Sequence, residues 1–267
     1  MANSLKNPSF LDNSLSSLGL ISKKPVLAQV ISENPDLGIN LICNGKQILA
    51  HHSNIFSTQR NTVLASADGF CICLTEHFLA ACALLGVVNL NLKISEAELP
   101  FDDGSAFFWL EFLKSYAEPN FFNNRKKISQ PIKIFDEQDS SRFIEMIPAE
   151  NFSVQYNLDI KNPPITQSYT WSLGEDIIPF AKARTFSTKE ENAMLGLDDW
   201  VLGYSAEGFS KDLHYTNELA AHKALDLIGD LMLSGVNPLS VDMKLISNKA
   251  GHALNARAAK ALAEVFC

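Results

Sequence analysis

Thr216–Gly235, TNELAAHKALDLIGDLMLSG, reads as one amphipathic helix. Thr216 or Asn217 is placed to cap its start, Glu218 sits in the first turn where the helix dipole favours an anion, and Gly235 with Pro238 supplies the stop. Leu219, Ala220, Leu227, Ile228 and Leu231 provide a face for burial. His222 and Asp226 are four apart, so at about 100° per residue they lie one turn above each other, with Asp230 a further turn on. Two ligands at this spacing can reach one tetrahedral zinc centre. An isolated pair of this kind also describes an ion pair on a solvated helix face, so the remaining residues have to decide.

The 267 residues are 46% hydrophobic and 19% charged, enough to bury a full core in one large or two medium domains. A net charge of −8 argues against broad binding to nucleic acid or anionic membrane. The start, MANSLKNPSFLDNSL, shows no basic region followed by an apolar core, and the apolar run Phe78–Val88 is too short to span a bilayer and is broken by Gly86. A cytoplasmic protein with no integral membrane segment is expected. Cys43, Cys71, Cys73, Cys82 and Cys267 are odd in number and lack CxxC spacing, which fits a reducing compartment; Cys71 and Cys73 read as reduced core residues.

Outward from the helix, the chain alternates strands with helices twice. The first 22 residues, rich in Ser and Asn, read as irregular. Residues 26–31, 38–43, 47–50, 62–65 and 70–74 read as short strands separated by turns such as Asn34-Pro35 and Asn44-Gly45. Thr75 is placed to cap a helix ending at Gly86; residues 87–94 alternate as a strand, and 105–115 form a second helix. Residues 117–127, with Pro, Asn and a basic run, suit a linker, dividing the chain into domains 1–120 and 121–267. The second half repeats the order, with strands at 133–135, 142–147, 153–160 and 169–173 and a short helix at 188–195. Residues 196–213 read as irregular; the long helix, a strand over 239–245 and a final Ala-rich helix from His252 complete the chain. The expected class is α+β, with two domains of similar plan.

His77 follows Glu76 at a helix start, and His252 follows Gly251 at a strand-to-helix turn; each is ambiguous alone. Together, Thr75-Glu76-His77, Asp103-Gly104-Ser105-Ala106, Ala183-Arg184-Thr185-Phe186, His222-Lys223-x-x-Asp226-x-x-x-Asp230 and Gly251-His252-Ala253-Leu254-Asn255 form an ordered series. That series resembles the UDP-3-O-acyl-N-acetylglucosamine deacetylases, the zinc amidases of lipid A biosynthesis. The resemblance implies two β-sheet-plus-helix domains with helices packed between the sheets and an active site where they meet. It implies zinc held by His77, His222 and Asp226, Glu76 as general base, His252 as charged acid oriented by Asp230, and Thr185 at the oxyanion. It also places Lys223, Lys249 and Phe186 beside an amino-sugar substrate that is UDP-linked in the family.

The residue chemistry agrees with these roles. Two histidines and a carboxylate leave one open zinc position, where water is activated near neutral pH. The sequence departs from the family where Gly-x-Gly-Leu-His-Ser-Gly is replaced by Leu18-Gly19-Leu20-Ile21-Ser22-Lys23-Lys24, and where Asp-Phe-x-x-Pro reads Asp159-Ile160-Lys161-Asn162-Pro163. The segment between Thr185 and His222, which builds the family's acyl passage, is shortened. Three readings follow: deacetylation of the acylated UDP-sugar, the same chemistry on a smaller or different N-acetylated sugar, or a non-catalytic metal-binding relative. If the passage is missing, Trp200, Tyr204 and Phe209 suit stacking on a sugar or a shallow rim.

Overall fold

The structure is a computed structural model that describes residues 9–11, 13–32, 38–118 and 120–266. The expected Asn34-Pro35 turn, residues 1–8 and Cys267 lie outside the described residues. Two six-stranded sheets share one plan. In the first, Ser14–Leu18 and Pro25–Ser32 form a hairpin, and Leu90–Ile94 pairs antiparallel with Pro25–Ser32 and parallel with Ile39–Cys43. Lys46–Leu49 closes one edge and Ser9–Leu11 the other. In the second, Ile132–Phe135 and Phe143–Pro148 form the hairpin, and Val241–Asn248 runs antiparallel to Phe143–Pro148 and parallel to Ser153–Ile160, which pairs with Ile165–Ser172. In each sheet a strand from late in its half is inserted between two early hairpins.

Two three-stranded sheets are smaller, and the described residues include six α-helices: α1 (Glu76–Leu85), α2 (Phe107–Leu113), α3 (Ile177–Ala181), α4 (Lys189–Leu195), α5 (Glu218–Leu231) and α6 (His252–Phe266). One hydrophobic cluster joins Leu41 and Leu92 of the first sheet, Phe78 of α1, Trp109 of α2, Ile228 of α5 and Leu245 of the second sheet. The helices therefore lie between the sheets, as expected of this α+β class. Helix α1 is buried almost all round, the mark of a helix enclosed between layers, and it ends where Gly86 adopts φ +74°. Helix α5 packs on α1, on α6 and on the strands Ser153–Ile160 and Ile165–Ser172. Each large apolar side chain buried there contributes about 1.5–3 kcal/mol.

Several local expectations are corrected. Ser9–Leu11 and Ser14–Leu18 are not irregular: they form the edge strand and its neighbour, and in Ser14–Leu18 Leu15 and Ser17 face inward while a turn closes through Gly19 N–H to the Lys24 carbonyl. Serines on both faces hide the alternation. Thr75 does not cap α1; its hydroxyl donates to the Thr62 carbonyl instead. Asn217 does not cap α5 either, because its side chain donates to Ser168 O; the Ala220 N–H is met by Gln167 Oε1 from the neighbouring strand. Residues 196–213 are not wholly irregular, since Leu202–Ser205 pairs with Phe186–Thr188 and with Gly208–Phe209. Within 117–127, Arg125 is tied to Asp242 at 2.5 Å and to the carbonyls of Leu239 and Val241, and Lys126–Lys127 joins the second sheet. Cys71 and Cys73 are free but half-buried, outside the core proper.

Candidate active site

Helix α5 carries the site because its interior face is polar at three successive turns. His222, Asp226 and Asp230 are each 1–2% exposed, an arrangement that persists only where partners compensate for lost hydration. His222 Nδ1 faces the Ala183 carbonyl at 3.2 Å, so Nδ1 carries the proton and Nε2 presents its lone pair inward. Helix α1 brings His77 to the same point: His77 Nε2 and His222 Nε2 each lie 3.4 Å from Asp226 Oδ1. The three ligand atoms fall within 4.8 Å of one another, close enough for one metal ion. Asp226 Oδ1 is buried and, among the described residues, has no hydrogen-bond partner, while Oδ2 accepts from Lys223 Nζ at 2.7 Å. A buried carboxylate oxygen left in that state fits a cation between the imidazoles.

Around this centre, Glu76 is 3% exposed and burial raises its pKa. The His252 Nδ1–H donates to Asp230 Oδ2 at 2.8 Å. Burial alone would lower the His252 pKa, but Asp230 overrides it and holds the imidazolium up to about 9. His252 Nε2 comes to 3.8 Å of Asp226 Oδ2, so the second imidazole nitrogen faces the centre. Burial pushes His222 down to about 3, keeping it the neutral imidazole that ligation requires. Asp226 stays well below the usual carboxylate range: His222, Lys223 and His77 outweigh its burial.

The segment 183–186 is pinned at both ends of its short turn. Arg184 binds Glu218, its Nε 2.7 Å from Oε1, and Thr185 donates both N–H and hydroxyl to the Gly104 carbonyl, at 2.7 and 2.8 Å. Gly104 sits at φ +79°, and a Cβ there would come within 3.0 Å of Thr185 Cβ. Phe186 packs edge-on against the His222 ring at 5.9 Å.

These residues line one cavity of about 540 Å³. Glu76, His77, His222, Lys223, Asp226, His252, Thr185 and Phe186 all border it. Asp230 lies beneath, reached through His252. Lys249 does not border it: its Nζ binds Ser141 Oγ at 2.6 Å on an exposed surface, and its backbone is held by Asn157 and Arg142. Leu20, Ile21, Leu74, Phe101, Leu195, Leu197 and Val201 form an apolar wall leading away from the polar floor. Despite its shorter length, the segment after Thr185 thus supplies apolar lining. Trp200, Tyr204 and Phe209 are absent from it. Trp200 packs with Leu74, Phe101 and Val201 under Lys23, Tyr204 packs on Phe186, and Phe209 is 36% exposed elsewhere.

Sequence reasoning missed Thr62 and Gly229. Thr62 is 1% exposed and bonded to Glu76 and Asp230; Gly229 lies where a Cβ would be 2.0 Å from the Glu76 carbonyl oxygen. Neither has a signal along the chain, because each partner is distant in sequence.

An α+β fold with helices between matched sheets, and a buried His–His–Asp set at the floor of a half-apolar cleft, defines a candidate metal-centred hydrolase. The family model described as UDP-3-O-acyl N-acetylglycosamine deacetylase, LpxC, matches residues 11–264. The chain belongs to that family. It is 30% identical over 232 residues to the UDP-3-O-acyl-N-acetylglucosamine deacetylase of Pseudoalteromonas atlantica, covering 80% of this chain and 74% of that one. The enzyme of the same name from Leptospira biflexa is 32% identical over 232 residues, covering 78% and 72%. That of Idiomarina loihiensis is 29% identical over 222 residues, covering 77% and 71%. Among the described residues no helix is long and apolar enough to cross a membrane.

Proposed function

We propose that this chain is a zinc-dependent amidohydrolase that removes the N-acetyl group from a UDP-3-O-acylated N-acetylglucosamine, the substrate in its relatives' names. The observation that carries this reading is the pair of 3.4 Å approaches from His77 and His222 to the otherwise unpartnered Asp226 Oδ1. Zinc held by these three residues would supply Lewis-acid polarisation and an activated water.

The chain's own groups do the rest. Glu76 Oε2 is engaged by the Thr62 N–H at 3.0 Å, so Oε1 is the oxygen that takes the proton from water. His252, charged at neutral pH, donates from Nε2 to the departing amine, while its Nδ1–H remains on Asp230. Thr185 borders the cavity, and turning its hydroxyl from Gly104 O toward the acetyl oxygen would stabilise the oxyanion. Lys223 keeps Asp226 ionised and presents a cation to the substrate side, where Phe186 bounds the sugar. The apolar wall from Leu20 to Val201 takes the acyl chain and favours the acylated substrate over a bare amino sugar. The two matched sheets support a division near residue 120, with Glu76 and His77 before it and the α5 residues after.

Deacetylation measured with zinc restored, comparing the acylated UDP-sugar with UDP-N-acetylglucosamine and N-acetylglucosamine, tests the reading. Turnover of the first is expected; a zinc-loaded protein that releases acetate from none of them overturns it.

A further inference from the structure

Thr62 immediately precedes the short strand Val63–Ala65 and is bonded through every polar atom it has. Its N–H donates to Glu76 Oε2 at 3.0 Å. Its hydroxyl donates to Asp230 Oδ1 at 2.5 Å, across 168 residues of chain. Its carbonyl accepts from Thr75 Oγ1 at 3.1 Å, one residue before Glu76. Its Oγ1 lies 3.3 Å from His252 Nδ1.

The proton inventory around Asp230 fixes the direction of the short bond. Asp230 Oδ2 accepts from His252 Nδ1 and from Asn255 Nδ2, each at 2.8 Å. Oδ1 has the Thr62 hydroxyl. A carboxylate has no proton to give, so all three neighbours donate, and the plane of the carboxylate is set by them. The His252 ring direction then follows from that plane.

We propose that Thr62 is a positioning residue of the hydrolytic centre: one side chain and its own backbone N–H hold Glu76 and the Asp230–His252 pair in a common frame. It rests on the deacetylase reading above. Helix α1 contributes Glu76, whereas α5 and α6, already joined by the bonds of Asp230 to His252 and Asn255, contribute the pair; Thr62 is hydrogen-bonded to both sides and so ties Glu76 to that pair. Threonine suits the place because its β-branch restricts the side chain and its hydroxyl supplies the donor.

The test compares Thr62→Val, which keeps the shape and removes the donor, with Thr62→Ser, which keeps the donor. Both are made in the full chain, zinc-loaded and assayed on the acylated UDP-sugar, with bound metal quantified. In ¹⁵N-labelled protein the His252 Nδ1–H proton resonance, assigned by its loss in His252→Gln, reports the Asp230 contact without turnover. Thr62→Val is expected to lower kcat about 10- to 100-fold, with KM within about 3-fold and metal content unchanged, and to shift or broaden the resonance. Thr62→Ser is expected within about 3-fold of wild type, with the resonance retained. The proposal is overturned if Thr62→Val leaves the resonance and any turnover unaltered, if Thr62→Ser is impaired as much as Thr62→Val, or if Thr62→Val simply loses metal. If the wild type deacetylates nothing while the resonance still depends on the Thr62 hydroxyl, the functional reading fails and the positioning role stands.

Discussion

Gly229 on α5 lies directly against the backbone of Glu76 on α1: a Cβ at position 229 would stand 2.0 Å from the Glu76 carbonyl oxygen and 3.0 Å from Ala80 N. This contact brings the His77 helix close enough for its imidazole to share a centre with His222 and Asp226. The glycine falls between Asp226 and Asp230 in sequence, so this close approach lies within the stretch of α5 that carries the polar groups.

In an ordinary helix interior Gly→Ala stabilises by about 0.5–1 kcal/mol. Here overlap with backbone outweighs that gain, and overpacking costs about 1–3 kcal/mol or more. Gly229→Ala is expected to lower stability in urea unfolding and to weaken zinc retention by displacing His77. A variant as stable as wild type with full metal content would show that α1 and α5 have slack.

The purified protein is expected to hold about one divalent ion after incubation with zinc and desalting, with His77→Ala, His222→Ala and Asp226→Ala each retaining less. Elemental analysis decides it. Wild-type protein that retains no metal would remove the basis for the site.

Glu76→Gln and His252→Ala are expected to keep the metal and to lower kcat by roughly 10² or more, because each removes a proton-transfer group and leaves the three ligands in place. Single-turnover assays alongside metal analysis separate the two effects. Near-wild-type activity in either variant would refute that residue's role.

The apolar wall makes a prediction about substrate size. Burying each CH₂ contributes about 0.8 kcal/mol, so five or more buried methylenes account for about 4 kcal/mol, or roughly 10³-fold in kcat/KM for the acylated over the deacylated UDP-sugar. Leu197→Asp, which puts a charge in the wall, is expected to erase most of that preference while leaving the deacylated substrate's constants unchanged. Equal kcat/KM for both substrates in the wild type would mean the wall does not receive the chain.

The ion pair between Arg184 and the buried Glu218 is expected to contribute to acid stability at the start of α5. Burial pushes the Glu218 pKa up, but hydrogen bonds from Arg184 and the His214 N–H pull it down further, so the folded value is depressed. Its contribution is therefore complete above the unfolded value of about 4.3 and is lost as pH falls through the lower folded value. Glu218→Gln is expected to be less stable at pH 7 and to show a flatter decline in Tm below about pH 4.3. An acid limb identical to wild type would exclude this pair as a source of it.

Helix α5, the alternation of strands and helices, and the cluster of His77, His222, Asp226 and His252 were legible along the chain. Helix α5, the strand–helix alternation and the His222–Asp226 pair rest on local chemistry, namely periodicity, a glycine stop and two groups one helical turn apart. His77 and His252 were ambiguous alone and joined the set only through the family resemblance. The two N-terminal strands were not legible, because in Ser14–Leu18 serine on both faces masks the period of two. Both helix starts fall where the sequence puts them, with Thr75 and Asn217 at the N-cap positions, but the capping bond was misread for a related reason: their side chains are taken by Thr62 O and Ser168 O, partners no local window contains.

Residue spacing along the sequence marked His222 and Asp226 as a pair that one metal could share, and the family resemblance added His77. Tertiary structure alone decided how they meet: that Gly229 admits the Glu76 backbone, that Thr62 joins Glu76 to Asp230, that Lys249 lies outside the cavity lining, and that a shortened segment still supplies an apolar wall. Sequence periodicity carries which face of an element is buried, whereas these four features depend on distances between elements far apart in the chain. Such distances are set by close packing of the whole core, in which the space left for one methyl group or the reach of one hydroxyl is fixed by neighbours that the local sequence does not name.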